Sequence, residues 1–124
     1  MRAPERLMGQ RVVAEPSAID ALVASLPSRV TVLRFAPDEA FIVGAGSTRV
    51  DDPHAIIEDE VGFVAMAVDR EVLARHVEWA LPAAGEVAQG SIAGVPAKLA
   101  WLPNGQAWVV THAAYAAELA ERLR

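Results

Sequence analysis

The stretch RFAPDEAFIVG, residues 34–44, decides the fold, because it predicts a β-hairpin. Phenylalanine, isoleucine and valine are typical of strands, and Pro37-Asp38-Glu39 between them is a turn sequence. We interpret Asp38 and Glu39 as turn residues rather than catalytic ones, with Asp38 accepting local backbone N–H bonds. The stretch therefore predicts the first hairpin of an antiparallel sheet.

Before the hairpin, the sequence predicts a short strand over 10–15 and then a helix. Ser17 is predicted to cap that helix and Pro27 to stop it. Its buried face, at the i, i+3, i+4, i+7 spacing, is formed by Ile19, Leu22, Val23 and Leu26.

After the hairpin, 46–53 has the composition of a loop. Residues 54–68 predict two strand pieces separated near 58–62, and a helix over 70–81 is predicted to begin after Asp69 as its cap. The hairpin and this helix form a first hairpin-then-helix unit, and the last third of the chain repeats the pattern.

The last third predicts strands at 91–102 and 106–112 around Pro103-Asn104-Gly105, since Asn-Gly is a strong hairpin signal. Thr111 is predicted to cap a C-terminal helix over 112–124. The hairpins and helices together predict an α+β fold, an antiparallel sheet with helices packed on one side.

A chain of 124 residues has the usual size of one domain, so residues 1–124 are predicted to form a single domain with one core. That core is predicted to contain Leu33, Phe35, Phe41, Val43, Phe63, Met66, Leu73, Val77, Leu99, Leu119 and Leu123. The hydrophobic share of 53% exceeds the roughly 45–50% of soluble domains. The excess predicts a surface covered by a partner or by a second copy of the chain.

The formal charge of −5, with no run of basic residues, argues against a nucleic-acid partner. The chain contains no cysteine, which excludes disulfides, thiolate metal sites and a cysteine nucleophile. The start of the sequence does not resemble a signal peptide, and the longest apolar run, at 61–68, is too short to span a bilayer. We expect a cytoplasmic protein without a membrane partner.

Three stretches share an order and spacing with a known family: LRFAPDEAFIV at 33–43, GFVAMAVDREVLARHVEWALP at 62–82 and AQGSIAGVPAKLAWLPNGQAWVVTHAAYAAELAERL at 88–123. They resemble the gamma subunit of heterotetrameric sarcosine oxidase. The resemblance runs over 29–124 and leaves 1–28 as an N-terminal extension of one strand and one helix. Gln89-Gly90 stands where that family has a Gln-Thr pair.

The resemblance implies the fold of the folate-binding, glycine-cleavage aminomethyltransferase proteins. In that family the flavins and the substrate site belong to the larger subunits, so it implies a non-catalytic subunit or interaction module. Such a subunit acts in an amine-oxidising or one-carbon complex, with larger flavoprotein subunits or a second copy as partner. The alternative is a free-standing folate-dependent one-carbon enzyme or folate-binding protein.

The candidate ligand-binding residues are acidic and aromatic. They are Glu58, Asp59, Glu60, Trp101 and Trp108. Trp101 and Trp108 flank the Asn-Gly turn, so they are predicted to pair across the hairpin. The pair is expected either to pack in the core or to form an aromatic wall against which a pterin-like ring stacks. Trp79 and Trp101 are candidate interface residues. The residues themselves predict no cofactor, and folate is the one cofactor that the resemblance implies.

His54, Glu58 and Glu60 can share one face of a strand, which would suit a metal ion, but we favour a solvated acidic turn. No metal site is predicted. His76 and His112 are predicted to face solvent, and no stretch has the pattern of an activated nucleophile. We therefore predict no catalytic residues.

Overall fold

A computed structural model describes residues 4–124, which form seven strands and three helices. In chain order these are β1 (Glu5–Val13), α1 (Pro16–Ser25), β2 (Thr31–Ala36), β3 (Glu39–Val43), β4 (Ile56–Val68), α2 (Arg70–Ala74), β5 (Ala88–Ile92), β6 (Val95–Trp101), β7 (Ala107–His112) and α3 (Ala113–Arg122). In the described part of the chain, no helix has the length and apolar character needed to cross a membrane.

The chain divides into two compact units. The N-terminal unit is Met8–Val61, and the C-terminal unit is Gly62–Arg124 with the described residues up to Leu7. The strand order is β2-β3-β1-β4 in the N-terminal unit and β4-β7-β6-β5 in the C-terminal unit. Every strand pair with an assigned register is antiparallel, so the predicted α+β class with an antiparallel sheet is confirmed.

The predicted hairpin at residues 34–44 is confirmed as β2 and β3. Leu33 pairs with Phe41 and Arg34 with Ala40, and the register shifts at Phe35 before the turn. The Arg34 guanidinium donates to the carbonyl oxygens of Ala36 and Pro37 and to Asp20 on α1. This arginine therefore ties the turn to the neighbouring helix.

β4 is one continuous strand, so the predicted break near 58–62 is wrong. Its second half pairs with β7 from Phe63 onward. Its first half lies beside β1, where Asp59 accepts a hydrogen bond from Gln10. Because each half has a strand neighbour of its own, Gly62 continues the strand instead of ending it.

The predicted helix over 70–81 is also wrong, because α2 ends at Ala74. The carbonyl oxygen of His76 accepts a hydrogen bond of 2.9 Å from the backbone N–H of Ala93. The indole of Trp79 donates to the carbonyl oxygen of Ser91. These contacts with the β5–β6 hairpin hold residues 75–87 in an irregular path, so tertiary contacts override the helical pattern.

The predicted strand over 91–102 contains a hairpin turn at Ala93-Gly94, which separates β5 from β6. Ala93 has φ 51° and Gly94 has φ 80°, the positive pair of a type I′ turn. A left-handed alanine costs roughly 1–2 kcal/mol. Its carbonyl accepts a hydrogen bond of 2.7 Å from Arg122 Nη1 on α3, which holds the turn in place.

None of the three predicted side-chain caps is present. α1 begins after Glu15 with Pro16 in its first turn, so Ser17 lies inside the helix. Asp69 occupies the cap position of α2 without a side-chain cap bond and accepts from Gln106 instead. Thr111 is buried in β7, and its hydroxyl donates to the carbonyl oxygen of Pro96 at 2.8 Å.

The described hydrophobic side chains form separate clusters, so the expectation of one core is wrong. The cluster of the C-terminal unit packs α2 and α3 on the sheet and contains Met66, Val68, Leu73, Ile92, Val95, Ala97, Leu99, Ala107, Val109, Leu119 and Leu123. The cluster of the N-terminal unit packs α1 on the sheet and contains Val12, Ala14, Ile19, Leu22, Val30, Ala40 and Ile42. Leu33, Phe41 and Phe63 are buried outside these two clusters, and Phe35 and Val43 are half-buried.

Candidate functional site

Glu58, Asp59 and Glu60 lie on β4 in the N-terminal unit, and the strand divides them between two faces. Side chains alternate along a strand, so Glu58 and Glu60 point away from Asp59. Asp59 accepts a hydrogen bond of 3.1 Å from Gln10 Nε2. The expectation of an acidic turn is therefore wrong, because these residues belong to a strand.

Arg11 on β1 is the charge partner of this acidic stretch. Its Nε lies 2.7 Å from Glu39 Oε2, and its Nη1 lies 3.8 Å from Glu58 Oε2. The hydrogen bond to Glu39 is the largest effect and raises the pKa of Arg11. Desolvation opposes it, and the charges of Glu39, Glu58 and Glu60 raise the pKa further. These groups are partly exposed, so each pair contributes about 0–1 kcal/mol to stability.

His54 lies in the loop before β4, and its backbone N–H donates to Asp52. Within residues 4–124, His, Asp and Glu side chains form no group of three or more that could hold a metal ion. His54, Glu58 and Glu60 are thus not assembled into a ligand set.

Trp101 and Trp108 do not pair across the hairpin, so that prediction is wrong. Trp101 lies opposite Ala107, and Trp108 lies opposite Ala100, which places the two indoles on opposite faces of the sheet. Trp101 is on the face of the C-terminal core, where it packs against that cluster. Trp108 is on the other face, so the two cannot form one aromatic wall.

Trp79 and Trp101 hold the irregular segment 75–87 on the C-terminal unit. Trp79 Nε1 donates to the carbonyl oxygen of Ser91 at 2.8 Å, and Trp101 Nε1 donates to that of Pro82 at 2.7 Å. The guanidinium of Arg70 lies 4.5 Å from the Trp101 ring centroid. Both indoles are half-buried within this unit, and their role as interface residues stays a prediction.

A groove lies on the sheet face of the C-terminal unit that points away from its core cluster. Leu99 and Val109 belong to that cluster, so their neighbours Lys98 and Val110 point to the opposite face. The groove has a volume of about 380 Å³. Its lining residues are Phe63, Gln89, Gly90, Ser91, Pro96, Ala97, Lys98, Val110, Thr111 and His112.

Two rows of cross-strand neighbours build this groove. In one row Gln89 lies opposite Lys98, which lies opposite Val110. In the other, Phe63 lies opposite His112 with the ring centroids 4.8 Å apart and the planes at 26°. The Nζ of Lys98 lies 5.4 Å from the Phe63 ring centroid. The rows are thereby joined by aromatic and cation contacts.

The groove has an apolar floor and a polar rim. Val110 and Phe63 are only 1% and 5% exposed, while Gln89, Ser91 and His112 are exposed. No Asp or Glu occurs among the lining residues of the described chain.

Sequence reasoning missed this groove because it missed the turn at Ala93-Gly94. With one strand over 91–102, Gln89 and Lys98 have no cross-strand relationship. Once the turn is recognised, Gln89 falls opposite Lys98, the only lysine in the chain. His112 is exposed, as predicted, whereas His76 is half-buried.

The N-terminal unit carries an exposed apolar patch, which we call the β1–β4 patch and define as Met8, Ile57 and Val61. Met8 shares a strand face with Gln10, and Ile57 and Val61 share a face with Asp59. The Gln10–Asp59 hydrogen bond shows that the two sets lie on the same side of the sheet. Met8, Val61 and Ile57 are 68%, 48% and 38% exposed.

The chain matches no protein-family model and no curated protein sequence.

Proposed function

We propose that this chain is a non-catalytic subunit or interaction module of an amine-oxidising or one-carbon complex, as its resemblance to the sarcosine oxidase gamma subunit implies. The observation that supports this proposal is the β1–β4 patch. The proposed partner is a larger flavoprotein subunit, and the proposed compartment is the cytoplasm. The antiparallel α+β fold is compatible with the folate-binding, aminomethyltransferase-like fold that the resemblance implies.

The patch continues the sheet face on which α1 packs. Val12 lies on that face and is fully buried in the N-terminal cluster, whereas Met8, four residues earlier on the same face, is 68% exposed. Apolar side chains grouped at a surface lose unfavourable hydration when a partner covers them. A larger subunit seated beside α1 would extend the N-terminal cluster over Met8, Ile57 and Val61.

The test is co-purification of the tagged chain from its native host, with wild type compared with an Ile57→Ser/Val61→Ser variant. The expected result is that wild type recovers larger subunits with the visible absorbance of a bound flavin, and that the variant does not. The matched control, on the same strand, is Glu58→Ala/Asp59→Ala/Glu60→Ala, which should retain the partner. Each variant is first checked for cooperative unfolding.

A wild-type chain that sediments as a monomer and recovers no flavoprotein would contradict the proposal. So would equal recovery with the Ile57→Ser/Val61→Ser variant. Tryptophan fluorescence titrated with tetrahydrofolate separates the alternative function. Saturable quenching that is lost in the triple acidic variant would favour the folate-dependent enzyme or folate-binding protein, and the proposal predicts no saturable change.

A further inference from the structure

We propose that a pocket beside Trp101 in the C-terminal unit binds a small aliphatic carboxylate. This pocket, which we call the Trp101 pocket, has a volume of about 330 Å³ and is lined by Arg70, segment 82–84, Trp101, Leu102, Pro103 and Gly105. It shares no residue with the β1–β4 patch, which belongs to the other unit. The inference therefore goes beyond the proposed function and does not depend on it.

The walls of the Trp101 pocket are held together by hydrogen bonds of the chain itself. The indole Nε1 of Trp101 donates to the carbonyl oxygen of Pro82 at 2.7 Å, which joins β6 to segment 82–84. The turn after β6 is closed by a bond of 2.9 Å from the backbone N–H of Leu102 to the carbonyl oxygen of Gln106. The pocket is thus formed before a ligand arrives, which lowers the entropy cost of binding.

Arg70, the first residue of α2, supplies the charge of the Trp101 pocket. Its guanidinium carbon lies 4.5 Å from the centroid of the Trp101 ring, over the indole. This attraction acts between the positive charge and the ring, so it leaves the five N–H donors of the guanidinium able to bind a ligand. The contact with Trp101 therefore positions a cation without using its donors.

The carboxylates near Arg70 do not occupy its guanidinium. Asp69, its neighbour in sequence, accepts a hydrogen bond of 3.0 Å from Gln106 Nε2. Among residues 4–124, no carboxylate forms an ion pair with Arg70, and no Asp or Glu lines the Trp101 pocket. Arg70 is also exposed, so an anion reaches it without displacing an existing partner.

The other walls select a small aliphatic body. Ala83, Ala84, Leu102 and Pro103 have side chains without hydrogen-bonding groups. The volume of the pocket is near the lower end of the roughly 300–1,000 Å³ of small-molecule sites. Arg70 covers a face of the Trp101 ring, so that face is not open for an aromatic ligand to stack on. A single saturated ring or a short branched chain fits these walls.

The same walls favour a carboxylate over a phosphate, although the fork of arginine fits both. A phosphate has oxygens on every side, so apolar walls would leave some of them without hydrogen bonds, which is unfavourable. A carboxylate has its two oxygens on one side only. It can direct both at Arg70 while its apolar body contacts the walls.

The test uses four probes on the full chain: cyclohexanecarboxylate, the neutral cyclohexanecarboxamide, acetate, which has the charge without the apolar body, and inorganic phosphate. Binding is followed in ¹H–¹⁵N NMR spectra, where the indole N–H of Trp101 is the reporter and that of Trp108 is the internal control. The expected result is a saturable shift of the Trp101 indole with cyclohexanecarboxylate. The other three probes should bind about tenfold or more weakly, because each lacks the charge or the apolar contacts.

Variants of Arg70 assign the interaction to this residue. Arg70→Gln should weaken cyclohexanecarboxylate about tenfold and leave the amide unchanged, and Arg70→Lys should have an intermediate effect, since it keeps the charge but not the fork. Arg75→Gln is the matched control, because Arg75 is an exposed arginine at the other end of α2 and outside the pocket lining. Each variant is first checked for cooperative urea unfolding. If Arg70→Gln does not fold, Arg70→Lys is compared with wild type instead.

Four results would overturn the proposal. The first is the absence of a saturable shift of the Trp101 indole with cyclohexanecarboxylate. The second is equal affinity for the carboxylate and the amide. The third is an affinity for cyclohexanecarboxylate that the folded Arg70 variants do not alter. The fourth is tighter binding of phosphate or acetate than of cyclohexanecarboxylate, which would show that the apolar walls do not contact the ligand.

Discussion

The indole nitrogen of Trp79 donates a hydrogen bond of 2.8 Å to the carbonyl oxygen of Ser91, and the ring lies against Gly90. This contact joins the irregular segment 75–87 to β5. The segment thus contributes one of the two tryptophans that hold it. The other is Trp101 on β6, which donates to the carbonyl oxygen of Pro82 within the segment.

Trp79→Ala should lower the free energy of unfolding by about 2–4 kcal/mol, because it removes a half-buried indole from the C-terminal core. Trp79→Phe should cost about 1–2 kcal/mol, since it keeps much of the packing and loses the hydrogen bond. Urea denaturation measures both. Tyr115→Ala is the control, because Tyr115 is 40% exposed, and should cost no more than about 0.5 kcal/mol. If Trp79→Ala lowered the free energy of unfolding no more than Tyr115→Ala does, Trp79 would not be what holds segment 75–87 in place.

Gly90→Ala should be destabilising by about 1–3 kcal/mol, because a Cβ at this position would lie 2.7 Å from Trp79 Cε2 and force the ring to move. The cost should fall sharply in a Trp79→Ala background, where the ring is gone. A double-mutant cycle measured by urea denaturation gives this coupling. Additive effects would show that the indole does not rest on Gly90.

Ala93→Gly should raise the free energy of unfolding by up to about 1 kcal/mol. The gain from relieving an alanine at φ 51° exceeds the added entropy of the unfolded chain. Gly94→Ala should have the opposite sign, because Gly94 has φ 80° and an added Cβ would lie 2.9 Å from Arg122 Nη1. Thermal denaturation of both variants tests the type I′ turn. A loss of stability in Ala93→Gly would contradict this account of the turn.

Asp52 should make the N-terminal unit sensitive to acid. Its carboxylate accepts backbone hydrogen bonds from Glu15 and His54, both at 2.9 Å, and these bonds lower the pKa of Asp52. Because the pKa of Asp52 is lower in the folded protein than in the unfolded chain, its carboxylate stabilises the fold. This stabilisation is fully present above the unfolded aspartate pKa, about 3.9, and is lost as pH falls through the folded pKa.

Asp52→Asn should therefore lower the urea midpoint at neutral pH, and the difference from wild type should shrink in acid. The neighbouring exposed residue Asp51 provides the control, and Asp51→Asn should leave the midpoint unchanged. A difference between wild type and Asp52→Asn that does not change with pH would show that the carboxylate charge has no part in holding the loop.

The sequence by itself determined those features that depend only on residues close to one another along the chain. Pro37-Asp38 and Asn104-Gly105 mark chain reversals because turn conformations follow from local backbone preferences. The buried positions Ile19 and Leu22 follow from helical spacing, and both are buried in α1. The antiparallel α+β class follows from the hairpins.

Only the tertiary structure decided where these elements meet. The helix over 70–81 is shortened because Ala93 and Ser91, twelve or more residues away, bind the backbone of His76 and the side chain of Trp79. The same registers place Gln89, Lys98 and His112 around one groove. Local periodicity carries no information about such pairings, because cross-strand register is set by turns and by burial summed over the whole sheet.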